Sequence, residues 1–295
     1  MIDTHAHIDD HQFDADREEM IGRAFSSGVE KIVTIGAGLG SSARAVEVAK
    51  NHDNIFAVVG LHPEYFMQHG AWNEEHKQKL EELARAEKVV AIGEIGLEYH
   101  SHDGAPIADE QKEFQKEGFI YQLELAKKLK LPVVIHCRGE RAPVGEKYRE
   151  VGEAYEDVLE ILEDSFGTPP SRVRDTSPEY RGGGELPFVV FHSFGGRLDF
   201  ARKVMARENI FFSFNGNLTY AKPSAEILEV VKMIPLEKIM LETDCPYLSP
   251  VPHRGERNEP ANVVYVRDKI AEIKAIDKEE VDKITSQNAV KFFRF

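Results

Sequence analysis

Two cysteines in 295 residues, Cys137 and Cys245, are too few for a disulfide framework, which excludes the stapled scaffold of a small secreted domain. Positive charge is also short, with 37 Lys and Arg against 51 Asp and Glu and a formal charge of −14. That deficit excludes the sequence-independent grip by which basic proteins hold duplex nucleic acid. It leaves local capture of one phosphate open. No run approaches the ~18 apolar residues of a membrane span, and the opening MIDTHAHIDD has neither the basic nor the apolar stretch of a secretory leader. A cytoplasmic chain with no membrane contact is the expectation. Trp72 and the phenylalanines do not interleave with basic residues as a base-stacking platform would.

The chain is nevertheless well supplied for a core, with 42% apolar and 30% charged residues. Short runs rich in β-branched residues recur, each followed by a stretch of helical period. The runs are Met1–Thr4, Lys31–Gly36, Ile55–Val59, Val89–Gly93, Pro132–Ile135, Phe188–Phe191, Ile210–Phe214 and Lys238–Leu241. Helical stretches over 18–26, 42–50, 74–86, 109–130, 151–165, 198–207 and 225–233 separate them, and 278–295 reads as a closing helix whose Phe292, Phe293 and Phe295 pack on the barrel. Eight such units predict one α/β domain over 1–295, a (β/α)8 TIM barrel rather than an open doubly wound sheet. The spacing breaks between strands five and six. There a Pro/Gly/Ser-rich tract, TPPSRVRDTSPEYRGGGE, reads as part of an inserted, partly mobile loop over the active face at about 139–186.

His5, His62, Glu94, His136, His192, Asn215 and Asp244 fall at or just beyond predicted strand ends, and in a barrel those ends converge on one face. His5-Ala6-His7 places two imidazoles two residues apart on a strand, aimed the same way, with Asp3 and Asp9 beside them to orient the rings. Taken alone, such a pair also fits two surface histidines. His136 in LPVVIHC and His192 in LPFVVFHS share one pattern of proline, apolar run and terminal imidazole. Glu94 in VVAIGEIGLEY is a carboxylate able to bridge two cations, and Asp244 in KIMLETDCPYL would be repelled by Glu94 and Glu242 unless a cation lay among them. Four imidazoles and two carboxylates suffice for two divalent metal ions. Zn²⁺ suits the donors, with Mn²⁺ or Mg²⁺ as alternatives.

With HAHID, GLHP, AIGEIGLEY, FHSFGG, LETDCPYLSP and PVPHRGERNEPANV in order, the chain resembles the TatD family of metal-dependent deoxyribonucleases within the amidohydrolase-like barrels. The resemblance runs along the whole chain apart from the insertion. It implies divalent-metal hydrolysis of DNA phosphodiesters, often as a 3′ exonuclease. It further implies that His5, His7 and Asp244 hold one metal, His136 and His192 the other, and that Glu94 bridges them. The family's usual GETGLDY reads here Gly93-Glu94-Ile95-Gly96-Leu97-Glu98-Tyr99, its HSRDA-like element reads His136-Cys137-Arg138-Gly139-Glu140, and its HCF reads His192-Ser193-Phe194. None of these changes removes a ligand.

Paired cations activate a water at neutral pH and offset charge on the phosphate, with Asp244 the candidate general base. His62, Arg138, His253 and Arg254 are the expected holders of phosphate oxygens, because a planar guanidinium matches two oxygens at once. Arg257 is expected beside them. The partner implied is a DNA strand end, held weakly and locally, and no obligate protein partner is called for. The alternative is an amidohydrolase or esterase acting on a small amide, lactone or aminoacyl ester. Such barrels often bridge their metals with a carbamylated lysine at strand four, where this chain has Glu94 at the mouth and Lys88 at the opposite end. A non-catalytic metal-stabilised binding protein would not need a candidate base. Gly36-Ala37-Gly38-Leu39-Gly40 is spaced as a tight βα turn rather than a dinucleotide fingerprint, and Gly182-Gly183-Gly184 lacks the Lys-Ser/Thr of a phosphate cradle. Cys137 and Cys245 each follow a predicted ligand and read as small rim residues, with occasional thiolate contact to the metals as the sharper alternative.

Overall fold

The computed structural model describes residues 1–70, 72–101, 106–139, 153–166, 187–220 and 225–295. Among them are eight strands, β1 (Ile2–Ala6), β2 (Lys31–Ile35), β3 (Ile55–Val59), β4 (Val89–Glu98), β5 (Val133–Arg138), β6 (Val189–Phe191), β7 (Ile210–Phe214) and β8 (Ile239–Leu241). They lie side by side in sequence order, every ladder parallel. Between them run helices α1 (Arg17–Ser26), α2 (Leu39–Lys50), α3 (Pro63–His69), α4 (Glu74–Ala84), α5 (Asp109–Leu129), α6 (Glu153–Phe166), α7 (Leu198–Met205) and α8 (Ala225–Met233). Two more, α9 (Val263–Lys274) and α10 (Lys278–Phe293), follow β8. This is the expected (β/α)8 barrel, nearly closed. None of the described helices is long and apolar enough to cross a membrane.

One inward residue from each strand, Ile2, Val33, Val58, Ala91, Val134, Val190, Phe211 and Met240, forms a buried inner cluster with Phe292 and Phe293 of α10. The phenylalanines plug the base of the barrel, as the closing-helix reading anticipates, and Phe295 stacks on Phe56 at 4.4 Å. A larger apolar layer fills the space between strands and helices. With the base sealed by hydrocarbon, polar side chains are left to the opposite, C-terminal mouth.

The seam between β8 and β1 is stitched by the candidate ligands' own backbone. The Asp244 N–H donates to the His5 carbonyl at 2.9 Å, and the His7 N–H to the Cys245 carbonyl at 2.7 Å. Just below, the buried Asp3 carboxylate accepts from the Thr243 N–H and hydroxyl. The strands also run further than the apolar pattern suggests. β1 continues through His5, β4 through Glu94 to Glu98, and β5 through His136 to Arg138, so three candidate ligands sit within strands rather than at their ends.

Two helices escaped the periodicity reading. α3 begins on Pro63, with the His62 ring accepting the Glu64 N–H as its cap, and α9 follows the loop after β8. Of the expected insertion, α6 matches its predicted helix; residues 140–152 and 167–186, including the triple glycine, lie outside the described residues.

Candidate metal centre

A cavity of ≈ 610 Å³ opens at the C-terminal mouth, walled by His7, Arg44, His62, Glu94, His136, Arg138 and other polar residues. Glu94 is at its centre and only 4% exposed. Its Oε1 lies 2.6 Å from His192 Nε2 and 2.8 Å from His136 Nδ1, while Oε2 lies 3.5 Å from His5 Nε2 and 3.9 Å from His7 Nε2. Asp244 closes the other side, with Oδ1 3.6 Å from His5 Nε2 and 3.4 Å from His7 Nε2. All six candidate ligands therefore converge. They form overlapping donor groups, His5-His7-Asp244 and His5-Glu94-His192 among them, and a third group, His62-Glu94-His136, adds His62.

Backbone conformation brings these groups so close. Gly96 has φ +140°, and a Cβ there would lie 2.0 Å from the His136 carbonyl oxygen, so only glycine lets β4 press against β5 at this level. Asp244 adopts φ +59°, a left-handed conformation unusual for a residue with a Cβ, stored at the point where its carboxylate meets His7.

The donor set fits divalent cations on the structure's own terms. Both ring nitrogens of His5 and Nδ1 of His192 are buried without a hydrogen-bond partner. His136 Nδ1 and His192 Nε2 face each other at 3.3 Å, a contact that calls for a proton or a cation between them. Burial alone would push the Glu94 carboxyl up; the surrounding His192, His62 and His136 overcome this and hold it well below the usual carboxylate range. Burial works downward on the imidazoles. It prevails at His5, beside His192, and at His62, lowered to about 3. At His7 it is outweighed by Asp244 and at His136 by Glu94 and Glu98, and both rise to about 9. His192 is raised by Glu94 and Glu242 despite its burial. The carboxylates thus favour the protonated forms of His7, His136 and His192, and divalent cations would supply the same positive charge in their place.

The groups that orient the rings differ from expectation. Asp3 serves Thr243, and Asp9 accepts from the Thr34 hydroxyl and faces Arg44. The Ile35 carbonyl instead accepts from His7 Nδ1 at 2.8 Å, turning Nε2 to the cavity. Glu98 accepts from His136 Nε2 at 3.1 Å, and Glu242, held by the Ser193 N–H and the Ser213 hydroxyl, stands 3.7 Å from His192 Nδ1. Sequence reasoning gave Glu98 and Glu242 no such role, although both lie within the motifs it singled out.

His62 and Arg138 line the cavity, as expected of phosphate holders. His253 does not: its Nδ1 faces Glu256 at 2.8 Å and its Nε2 faces Tyr265 at 3.1 Å. Arg254 has its guanidinium carbon 3.8 Å above the Tyr220 ring in an adjoining hollow. Arg257 is committed to Asp16 and to the Gln12 carbonyl. Arg44 takes up a place in the wall that helical periodicity on α2 does not reveal. Lys88 donates to the Asp53 carbonyl at 2.7 Å, at the far end of β4 from Glu94. The cysteines form no disulfide; Cys245 is buried, its thiol pushed up by desolvation, and Cys137 lies on the cavity wall.

Known proteins resemble this chain along its length. A Bacillus subtilis protein named uncharacterized metal-dependent hydrolase YabD is 39% identical over 294 residues, covering 100% of this chain and 99% of its own length. A Cronobacter sakazakii protein named 3′-5′ ssDNA/RNA exonuclease TatD is 30% identical, with 99% of this chain and 97% of its length aligned. Among solved structures, the TatD homologue YjjV of Escherichia coli superposes with a TM-score of 0.79 at 26% identity, covering 100% of this chain and 98% of that one. The family model for TatD-related DNases matches residues 2–294, and the chain belongs to that family.

Proposed function

We propose that this metal-dependent hydrolase is a deoxyribonuclease that removes nucleotides from the 3′ end of single-stranded DNA, working in the cytoplasm as one barrel over the whole chain. The observation that carries the reading is Glu94, whose two carboxylate oxygens face different imidazoles, His136, His192 and His62 on one side and His5 and His7 on the other. His5, His7 and Asp244 would hold one divalent cation and His136 and His192 a second, with Glu94 shared between them. When bound, the cations supply Lewis acidity, which activates water at neutral pH and offsets negative charge on a phosphate.

The protein's own groups do the rest. Asp244 lies at the cavity edge with its carboxyl held low, chiefly by His7 against the pull of burial, so it is ionised and ready to accept a proton from the attacking water. The Ile35 carbonyl and Glu98 fix the His7 and His136 rings and leave their other nitrogens to the cavity. Arg138, 3.8 Å from Glu98, and Arg44, 3.7 Å from Asp9, stand in the cavity wall, where a phosphate would compete with those carboxylates for their guanidinium groups, and His62, neutral at pH 7, has its Nε2 3.6 Å from Glu94.

A substrate panel tests the reading: 3′-labelled single-stranded DNA beside small amides, lactones and aminoacyl esters, each with and without chelator. Metal-dependent release of nucleotides is expected. Turnover confined to amides or esters would overturn it in favour of an amidohydrolase or esterase.

A further inference from the structure

We propose that Tyr247 and the Tyr220–Arg254 stack form a shelf on which successive bases of a single strand stack as the strand leaves the metal centre. The proposal rests on the nuclease reading and names how that site holds a polymer.

Four large apolar or aromatic side chains are exposed among the described residues. Two of them, Tyr247 and Val251, belong to the loop after β8 at the cavity mouth, whereas Ile120 and Val290 stand on outer helices. Tyr247 is 52% exposed and meets the His7 ring edge-on at 6.1 Å, so an aromatic surface begins where the candidate ligands end. Leu248 then lines both the main cavity and an adjoining open hollow of ≈ 600 Å³ that holds Tyr220 and Arg254. There the guanidinium carbon of Arg254 sits 3.8 Å above the Tyr220 ring centroid. Arg254 is exposed, and its outer face is a flat, delocalised surface of the kind that unpaired bases stack on.

The shelf is held rigid. The Val251 N–H donates to the Thr219 hydroxyl at 2.8 Å, tying the loop that carries Tyr220 to the loop that carries Tyr247 and Arg254. Gly216 brings the two backbones so near that a Cβ would lie 2.1 Å from the Leu248 carbonyl oxygen. Such preorganisation spares a strand the cost of ordering its partner. Stacking also answers the formal charge of −14, because it gains affinity without the array of cations that backbone binding requires. It admits a strand whose bases are unpaired and can splay apart. Since a 3′ exonuclease releases one nucleotide and retains the rest, the shelf serves the retained, upstream bases.

The experiment uses the metal-loaded enzyme and 5′-labelled DNA of two, three and four nucleotides, with an abasic residue placed second or third from the 3′ end in a parallel set. In the wild type, kcat/KM is expected to rise about tenfold from two to four nucleotides, mainly through KM, and the abasic residue to abolish the rise. Y247A and the Y220A/R254A double variant should lose the rise, whereas Y247F and Y220F should keep it. A rise that survives in the abasic strands marks a phosphate contact and overturns the shelf, as does one that survives in the alanine variants. If no strand is cleaved in a metal-dependent way, the nuclease reading fails separately. Fluorescence anisotropy then decides the shelf: weaker binding of single strands by the alanine variants supports it, and equal binding overturns it.

Discussion

Glu98 grips His136 from the side opposite Glu94, its Oε2 3.1 Å from Nε2 of a ring whose Nδ1 lies 2.8 Å from Glu94. The ring is therefore held in one orientation by a carboxylate that is itself 1% exposed and accepts the His100 N–H at 2.7 Å. Removing such an outer partner typically lowers metal affinity ~10–100-fold. If two cations are held as proposed, Glu98→Gln is expected to weaken the one at His136 by that order while leaving the other. Metal titration calorimetry checks this, and two unchanged affinities would show that Glu98 does not orient the ring.

The protons stored on His7 and His136 make metal loading pH-dependent. Both rings titrate at about 9 in the metal-free barrel, above the ~6.5 of an unfolded histidine. A raised histidine stabilises the fold fully below pH ~6.5, and that contribution is lost as pH rises through about 9. Metals need the neutral rings, so affinity climbs across the same window. The gap in Tm between metal-loaded and chelator-treated protein should therefore widen from pH 6.5 to 9, with protons released on loading at pH 7.5. A constant gap would contradict the assignment.

Much of this centre was legible in the sequence because a buried parallel strand is a nearly continuous apolar run, so a polar residue that interrupts it near its end stands out. His5, His136, His192 and Asp244 each did. The apolar run of β4 ends at Gly93, whereas the strand itself continues to Glu98, with Gly96 letting the His136 carbonyl come close. Glu98 lies in that continuation, beyond the apolar run. Arg44 leaves no mark in the helical period of α2, and its place in the cavity wall emerges only from the fold. His253 misled through its basic neighbours, yet Glu256, three residues on, captures one edge of its ring.

Arg44 and Arg257 offer a direct contrast. Arg257 is spent on Asp16, with contacts of 2.8 and 2.7 Å, and on the ring of Phe13, away from the cavity. Arg44 donates to the Asp9 carbonyl at 3.2 Å, and its guanidinium lines the cavity wall. Arg257→Ala should leave KM for DNA unchanged and alter stability by about 1 kcal/mol, since its ion pair with Asp16 lies at the protein surface and is partly exposed. Arg44→Ala should raise KM about tenfold, equivalent to ~1.4 kcal/mol, with kcat less affected. Steady-state kinetics on one oligonucleotide separates the two, and equal KM values would remove Arg44 from the substrate's path.

The base of the barrel should bear on stability without touching the chemistry. Phe292 is fully buried and meets Phe211 at 5.6 Å and Phe188 at 6.2 Å, closing the inner cluster from below. Its loss would leave a cavity beside Phe211 and Phe188 rather than a surface groove, because strands packed on both faces cannot collapse inward. Phe292→Ala is therefore expected to cost about 3–5 kcal/mol, read as a lowered denaturant midpoint. Metal stoichiometry and kcat at 25 °C should hold, since the ligands hang from the opposite ends of the same strands. A large drop in kcat with little change in midpoint would mean that the two ends are coupled through the strands, contrary to the division between a hydrocarbon base and a polar mouth.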